Sequence, residues 1–306
     1  VASEAQLVAR INEAAMSDFV AGGGVPLDKY RRATSRVPLP LKFDDSAQEI
    51  NFHSLMALLS FGGAHEPRLV TLTGSSVEDS VKFGLIGSHL SRERLDAMWM
   101  KNAHVGSVSE AFKIPVREDA PSTIPGVSVD RPGALLSHAQ ALCKALNETG
   151  EALLSRGYAD MAQFIAHSAK SDPGVEGMVR SLSGAFAAFK DSETVNGSEV
   201  LMLKNAQVLA GELCARMGTA APELHFDDTD KLTAVADADV ISALIFVGIL
   251  VPASTAAASN GVAGTSEAAE VGAPSTAVAT AAAVAAMAVF KPLDTAALRA
   301  VAVQVR

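Results

Sequence analysis

Two residues in this sequence combine a charged side chain with a strongly apolar setting, Asp237 and Lys204. Asp237 stands in Ala236-Asp237-Ala238-Asp239-Val240-Ile241. With a helix starting there, Asp237, Ile241, Leu244 and Gly248 share one face, and the carboxylate points along an apolar stripe. A carboxylate at an apolar wall has a tunable pKa and can orient water or stabilise a developing cation. The commoner role of Asp in such a place is capping, with Asp237 or Asp239 accepting the first free amides of the helix. Lys204 falls between Leu201 and Val208 at helical offsets, so its ammonium could reach a cleft and pair with a phosphate or carboxylate. The commoner lysine lays its stem on apolar surface and keeps its charge in water. A third group is Asn51, Phe52 and His53 at the start of an apolar run. An aromatic ring beside an amide suits base recognition by stacking and edge hydrogen bonds, although a lone Phe is more often core.

Other chemistries find little footing. The seven His include no HExxH and no paired spacing, so neither a metal site nor a metal cofactor is expected. GxSxG is absent, which removes the local signature of a serine hydrolase. Gly22-Gly23-Gly24 is followed by no GK[ST] and reads as a helix stop. The net charge of -9 disfavours long nucleic acid, whose binding needs many basic contacts, but permits one phosphate on a small ligand. Cys143 and Cys214 lie in helical patterns with no ligand-spaced partner and read as small buried residues of a reducing compartment. Glu4, Arg10 and Glu13 are wrong for a secretory leader. The apolar run 240–251 is too short to span a bilayer, and the Ala-rich run 276–290 closes at Lys291-Pro292. Both read as buried helices, and the expectation is a cytoplasmic protein without membrane contact.

Helices are the elements that must position these groups. With 49% hydrophobic but only 5% aromatic residues, a sizeable core must be filled by Ala, Leu, Val, Met and Phe. Leu135, Ala139, Leu142, Leu146 and Leu153 form one stripe at steps of 4, 3, 4 and 7, which predicts a long amphipathic helix over 134–155. Further helices are expected over 2–19, 50–61, 75–90, from Ser91 through Trp99, near 159–170, from Asp172-Pro173, over 198–217 with Ser198 as cap, and over 237–250, the most apolar of all. The Pro-rich stretch 114–133 reads as a long loop, and short strands near 68–72 are possible. Residues 253–276, rich in Ala, Ser, Thr and Gly, read as a flexible or irregular excursion, followed by helices near 275–290 and 294–304. The expectation is an all-α protein, a single large helical domain over 1–306 with at most a few short strands.

Several blocks resemble the queuosine salvage family. Leu146-Asn147-Glu148-Thr149-Gly150 is similar to its LNETG helix, Leu203-Lys204-Asn205-Ala206-Gln207-Val208-Leu209 to its YKRAQIL segment, and 228–250 to its block ending in ADYRxP and an apolar helix. Ile50-Asn51-Phe52 resembles its NF motif, and Phe61-Gly62-Gly63 the FGSG version of fungal members. The resemblance runs in order over roughly 10–290. It implies a helical architecture related to DNA glycosylases and hydrolysis of queuosine 5′-monophosphate through a sugar cation, releasing queuine for reuse in tRNA. It implies a carboxylate at Asp237, a conserved cation at Lys204, and substrate contacts at Asn51 and Phe52, with His53 and Asp239 beside them. No cofactor is implied, and the partner is a small nucleoside or nucleotide.

This sequence departs from the family in Ala238, Asp239 and Ile241, where the family has Tyr, Arg and Pro, and in Asn205 where it has Arg. The aromatics of its C-terminal motifs are also missing. The departures keep two other readings in view: a nucleoside-binding or other small-ligand-binding protein on the same scaffold without catalysis, and an RNA N-glycosylase of the ribosome-inactivating type, which the acidic charge opposes. The sequence sets no oligomeric state.

Overall fold

The computed structural model describes residues 9–22, 41–121, 128–195, 198–217, 220–233 and 238–252. In chain order the elements are β1 (Ala9–Ile11), α1 (Glu13–Ala21), α2 (Ser46–Leu58), α3 (Glu66–Thr73), α4 (Val77–Leu90), α5 (Ala97–Lys101), α6 (Val105–Ala111), β2 (Arg117–Pro121), β3 (Ser128–Pro132), α7 (Leu136–Ser155), α8 (Met161–Ser171), α9 (Val175–Ala185), β4 (Ser192–Val195), β5 (Ser198–Leu201), α10 (Lys204–Met217), α11 (Ala238–Phe246) and β6 (Leu250–Pro252). The fold is mostly helical, and the described strands form three separate two-stranded antiparallel pairs. The chain gathers into two compact units, one of Leu39–Asp191 and Asn205–Thr229, the other drawing its described residues from Val1–Pro38, Ser192–Lys204 and Asp230–Arg306.

In the first unit the core forms around α7. Leu135, Ala139, Leu142, Leu146 and Leu153 are all completely buried, each leucine contributing about 2 kcal/mol by leaving water. The short helix α5 seats against this helix for a specific reason. Asn147 donates through Nδ2 to the carbonyls of Met100 at 3.1 Å, Lys101 at 2.9 Å and Ala103 at 2.9 Å, satisfying the orphan acceptors at the C-terminus of α5. Gly150 lets the backbones meet, since a Cβ there would stand 2.5 Å from the Ala97 carbonyl oxygen and the Lys101 nitrogen. The LNETG-like block is therefore a docking device as much as a helix.

Helix starts differ from the sequence expectation wherever a distant or inconspicuous cap sets them. The helix α2 begins at Ser46, not Ile50, because Asp45 accepts from the Gln48 N–H at 2.8 Å. The Trp99 helix begins after Asp96 rather than at Ser91. Asp172 ends α8 instead of opening α9, whose first amide, Val175 N–H, donates to Asp228 at 2.8 Å from 53 residues away. The stretch 68–72 is helical, with Pro67 in the first turn of α3. The expected loop over 114–133 contains the β2–β3 hairpin, whose described side chains on β3 are all exposed.

In the second unit, 9–11 is a strand paired with 250–252, and the first helix starts only at Glu13 under the Asn12 side chain. The expected helix over 198–217 is split. Residues 198–201 pair with 192–195, and helix α10 begins at Lys204 after Leu203 adopts φ 49°. From Asn205 onward α10 belongs to the first unit, and the expected apolar row is buried: Ala206, Leu209, Leu213 and Met217 on the helix, with Met202 just before it. The most apolar helix is not buried centrally. In α11 and the turn after it, Phe246 is 91% exposed and Val247 37%, while Ile249 and Leu250 are buried on the way into β6. Composition alone misplaced it, because this helix is only nine residues long and ends at Phe246. Among the described residues no helix is long and apolar enough to cross a membrane. Asp237, the excursion at 253–276 and the helices expected near 275–290 and 294–304 lie outside the described residues.

Candidate functional site

The residues of α2 that could recognise a ligand are all drawn into the interior. Asn51 is buried, and its Oδ1 accepts from the Ala162 N–H at 2.8 Å. Asp160 already caps α8 by accepting from Gln163 N–H at 2.9 Å. Asn51 thus satisfies a second free amide in the first turn of α8 and ties two helices 111 residues apart. Phe52 is 1% exposed and packs against Phe43, with ring centroids 5.6 Å apart, and His89 at 6.2 Å. Its ring belongs to the core of this arrangement. His89 in turn hydrogen-bonds through Nε2 to the Lys42 carbonyl at 3.0 Å.

His53, also buried, stands between two carboxylates. Its Nδ1 lies 3.4 Å from Glu212 Oε1 on α10 and its Nε2 3.9 Å from Glu49 Oε1 one turn back on α2. Arg216 donates to the same Glu212 oxygen at 3.0 Å. Burial would raise the Glu212 carboxyl, but the hydrogen bond and charge of His53, together with Arg216, outweigh it and hold the group at about 2. Glu212 is thus an anion bracketed by two donors. No motif marks it, since its partners sit on α2 and one turn further along its own helix.

A second buried polar neighbourhood lies where the turn at 60–65 meets α7. Gly62 has φ 100°, a conformation glycine adopts without strain, and a Cβ there would fall 2.3 Å from His138 Cε1. His138 is 1% exposed, and neither ring nitrogen has a hydrogen-bond partner among the described residues. The His65 ring lies 5.0 Å away and the Phe61 ring 6.4 Å. Burial, then the charge of His65, pushes the His138 imidazole down to about 4, so it is neutral at physiological pH. Asn205 reaches the same turn. It donates through Nδ2 to the Ser60 carbonyl at 3.2 Å, while its Oδ1 is buried without a partner. His138 carried no sequence signal, being a single histidine on an otherwise ordinary amphipathic helix.

Of the remaining candidates, Lys204 is the first residue of α10 and half-buried. Asp239 lies in α11, and its side chain is outside the description, as is the whole of Asp237. Among the described residues no group of three or more His, Cys, Asp or Glu could hold a metal ion. Cys143 and Cys214 are both free thiols. The first bonds to the Ala103 carbonyl at 3.3 Å, and the second accepts from the Phe226 N–H at 3.3 Å.

The molecule is thus a mostly helical protein whose buried polar side chains, among the described residues, are amides, imidazoles and hydroxyls, with the Glu212 carboxylate partly buried beside His53. Residues 123–259 match the family described as Queuosine salvage protein. The chain is also 33% identical over 107 residues to the Queuosine 5'-phosphate N-glycosylase/hydrolase of Sphaerobacter thermophilus, a match covering 35% of this chain and 32% of the relative. The matched segment contains the LNETG-like block, Lys204 and Asp237.

Proposed function

We propose that this protein hydrolyses the N-glycosidic bond of a queuosine-type nucleoside 5′-monophosphate and releases the free base. The observation that carries the reading is the family match over 123–259, which takes in the three blocks where the resemblance puts a structural helix, a cation and a carboxylate. In this reading Asp237 stabilises the positive charge that builds on the sugar as the C1′–N bond breaks, and holds the water that attacks C1′. Water adds to the sugar carbon, the bond electrons leave with the base nitrogen, and that nitrogen takes up a proton. Lys204 binds the 5′-phosphate. Its place at the start of α10 supports this, because the helix dipole also favours an anion there. On α2, Asn51 ties the helix to α8 and His53 ties it to α10. We place the protein in the cytoplasm, in keeping with its two free thiols.

The test is release of queuine from queuosine 5′-monophosphate and from the unphosphorylated nucleoside. Lys204→Ala is expected to weaken handling of the nucleotide by tenfold or more, roughly the worth of one charge-assisted contact, and to leave the nucleoside unchanged. Equal losses on both would remove Lys204 from the phosphate role.

A further inference from the structure

The helix α4 is apolar on both of its sides. Its inner row, Val77, Val81, Gly84, Leu85 and Ser88, is buried where the helix packs against α2 and α6. Its outer row runs Asp79, Phe83, Ile86, Gly87 and Leu90 at helical steps. Phe83 is 59% exposed and Leu90 68%, and Lys82 flanks them with Nζ 5.7 Å from the centre of the Phe83 ring. From Phe83 to Leu90 the one titratable residue is His89, which is buried and bonded to the Lys42 carbonyl. A surface helix ordinarily turns charged residues to water, and an exposed apolar row with a polar rim marks a contact surface. The two inner and outer glycines differ in the same sense. At Gly84 a Cβ would stand 2.2 Å from the Phe112 ring, so packing requires that glycine. At Gly87 a Cβ would meet nothing within 4 Å, yet glycine weakens a helix relative to alanine. Nothing near it among the described residues calls for a glycine, whereas close approach of a second helix would.

We infer that the outer row of α4 is the contact surface of a homodimer, in which the α4 helices of two copies pack antiparallel across a two-fold axis. Such a contact must be complementary to itself, and this row is. Its N-terminal end is acidic, with Glu78 and Asp79, while Arg92 and Arg94 follow its C-terminal end. Arg92 holds Asp44 at 3.2 Å, and Glu93 accepts the Trp99 indole N–H at 2.8 Å. The Arg94 side chain is 91% exposed and reaches Asp96 only at 3.8 Å, which leaves its charge open to a partner. Phe83 with Leu90, and Asp79 with Arg94, are both centred between Ile86 and Gly87. Turning a second copy over about that point sets each Phe83 on the other's Leu90 and each Asp79 towards the other's Arg94, with Gly87 where the helices cross. A parallel pair would instead set Asp79 against Asp79 and Arg94 against Arg94. The antiparallel pair also opposes the two helix dipoles. One helix from each copy makes a small interface, so the dimer is weak and reversible.

Sedimentation velocity of the full chain at stepped concentrations reads the association, with the melting temperature measured beside it. The wild type is expected to pass from monomer to dimer as concentration rises. Phe83→Glu and Leu90→Lys, both at exposed positions, are each expected to weaken self-association at least tenfold and to leave the melting temperature nearly unchanged. Mixed in equal amounts, the two variants are expected to associate again. The new carboxylate of one copy then meets the new ammonium of the other, and the native Phe83 and Leu90 meet at the second contact. Gly87→Leu is expected to raise the melting temperature, by removing a helix glycine, and to weaken self-association, by holding the helices apart. A wild type that stays monomeric at every concentration would overturn the dimer, and a fall of several degrees in the melting temperature of Phe83→Glu would then assign the row to another part of the same chain. Variants that associate like the wild type, or a mixture that stays monomeric, would also overturn it.

Discussion

His53 and His138 are both buried in the same compact unit, one on α2 and one on α7, yet their surroundings are opposite. His53 has a carboxylate at each nitrogen, Glu212 at 3.4 Å and Glu49 at 3.9 Å. Among the described residues His138 has no hydrogen-bond partner, and a second histidine ring lies 5.0 Å away. The first arrangement stabilises the fold by compensating a buried charge. The second costs stability, because a buried donor and a buried acceptor go unmet. The pair separates a buried histidine whose hydrogen-bonding atoms the fold uses from one whose atoms it leaves unmet.

The comparison can be sharpened through pH. Folded His138 titrates at about 4 against an ordinary 6.5. Between those values the unfolded chain binds a proton that the folded one refuses, so stability is lost as pH falls from 6.5 to 4, and the loss levels off below. The full effect is on the order of 3 kcal/mol. Chemical denaturation at stepped pH should show this slope in the wild type and lose most of it in His138→Leu. A slope that survives the substitution would assign it to other groups.

A somewhat smaller effect is expected at the other histidine. Glu212 sits at about 2 against an ordinary 4.5, so its contribution is present above pH 4.5 and is lost as pH falls from 4.5 to 2. Glu212→Gln removes the charge that His53 and Arg216 bracket and should cost on the order of 2 kcal/mol at neutral pH. It should also flatten the stability curve below pH 4.5 and leave the slope above it in place. If Glu212→Gln were as stable as the wild type, the contrast between a spent and an unspent histidine would fail.

Local periodicity made the framework legible and tertiary pairing hid the rest. The α7 stripe from Leu135 to Leu153 and the buried face of α10 follow from spacing alone, because each helix turns one apolar row to the core. The start of α10 did not follow, since Ser198 looks like a cap until its residues are seen to pair with 192–195. The β2–β3 hairpin left no alternation to read, because a strand such as Ser128–Pro132 that is exposed throughout buries no side to mark its period. Phe246 misled in the other direction, being apolar and exposed. Asn51, Phe52 and Lys204 stood out as candidates because they fall in short motifs. His138 and Glu212 gain their character only from residues on other helices or at other turns, and no spacing along the chain records that.

The account rests most heavily on Asp237. Turnover of queuosine 5′-monophosphate by the wild type and by Asp237→Asn, followed as released queuine with folding checked by thermal unfolding, tests it directly. The substitution keeps shape and hydrogen bonding but removes the charge that would stabilise the sugar cation. The account predicts that queuine release falls by orders of magnitude while the melting temperature is nearly unchanged. Full activity in Asp237→Asn, together with a loss of about 1 kcal/mol of stability in Asp237→Ala, would show Asp237 to be a helix cap and would contradict the assignment.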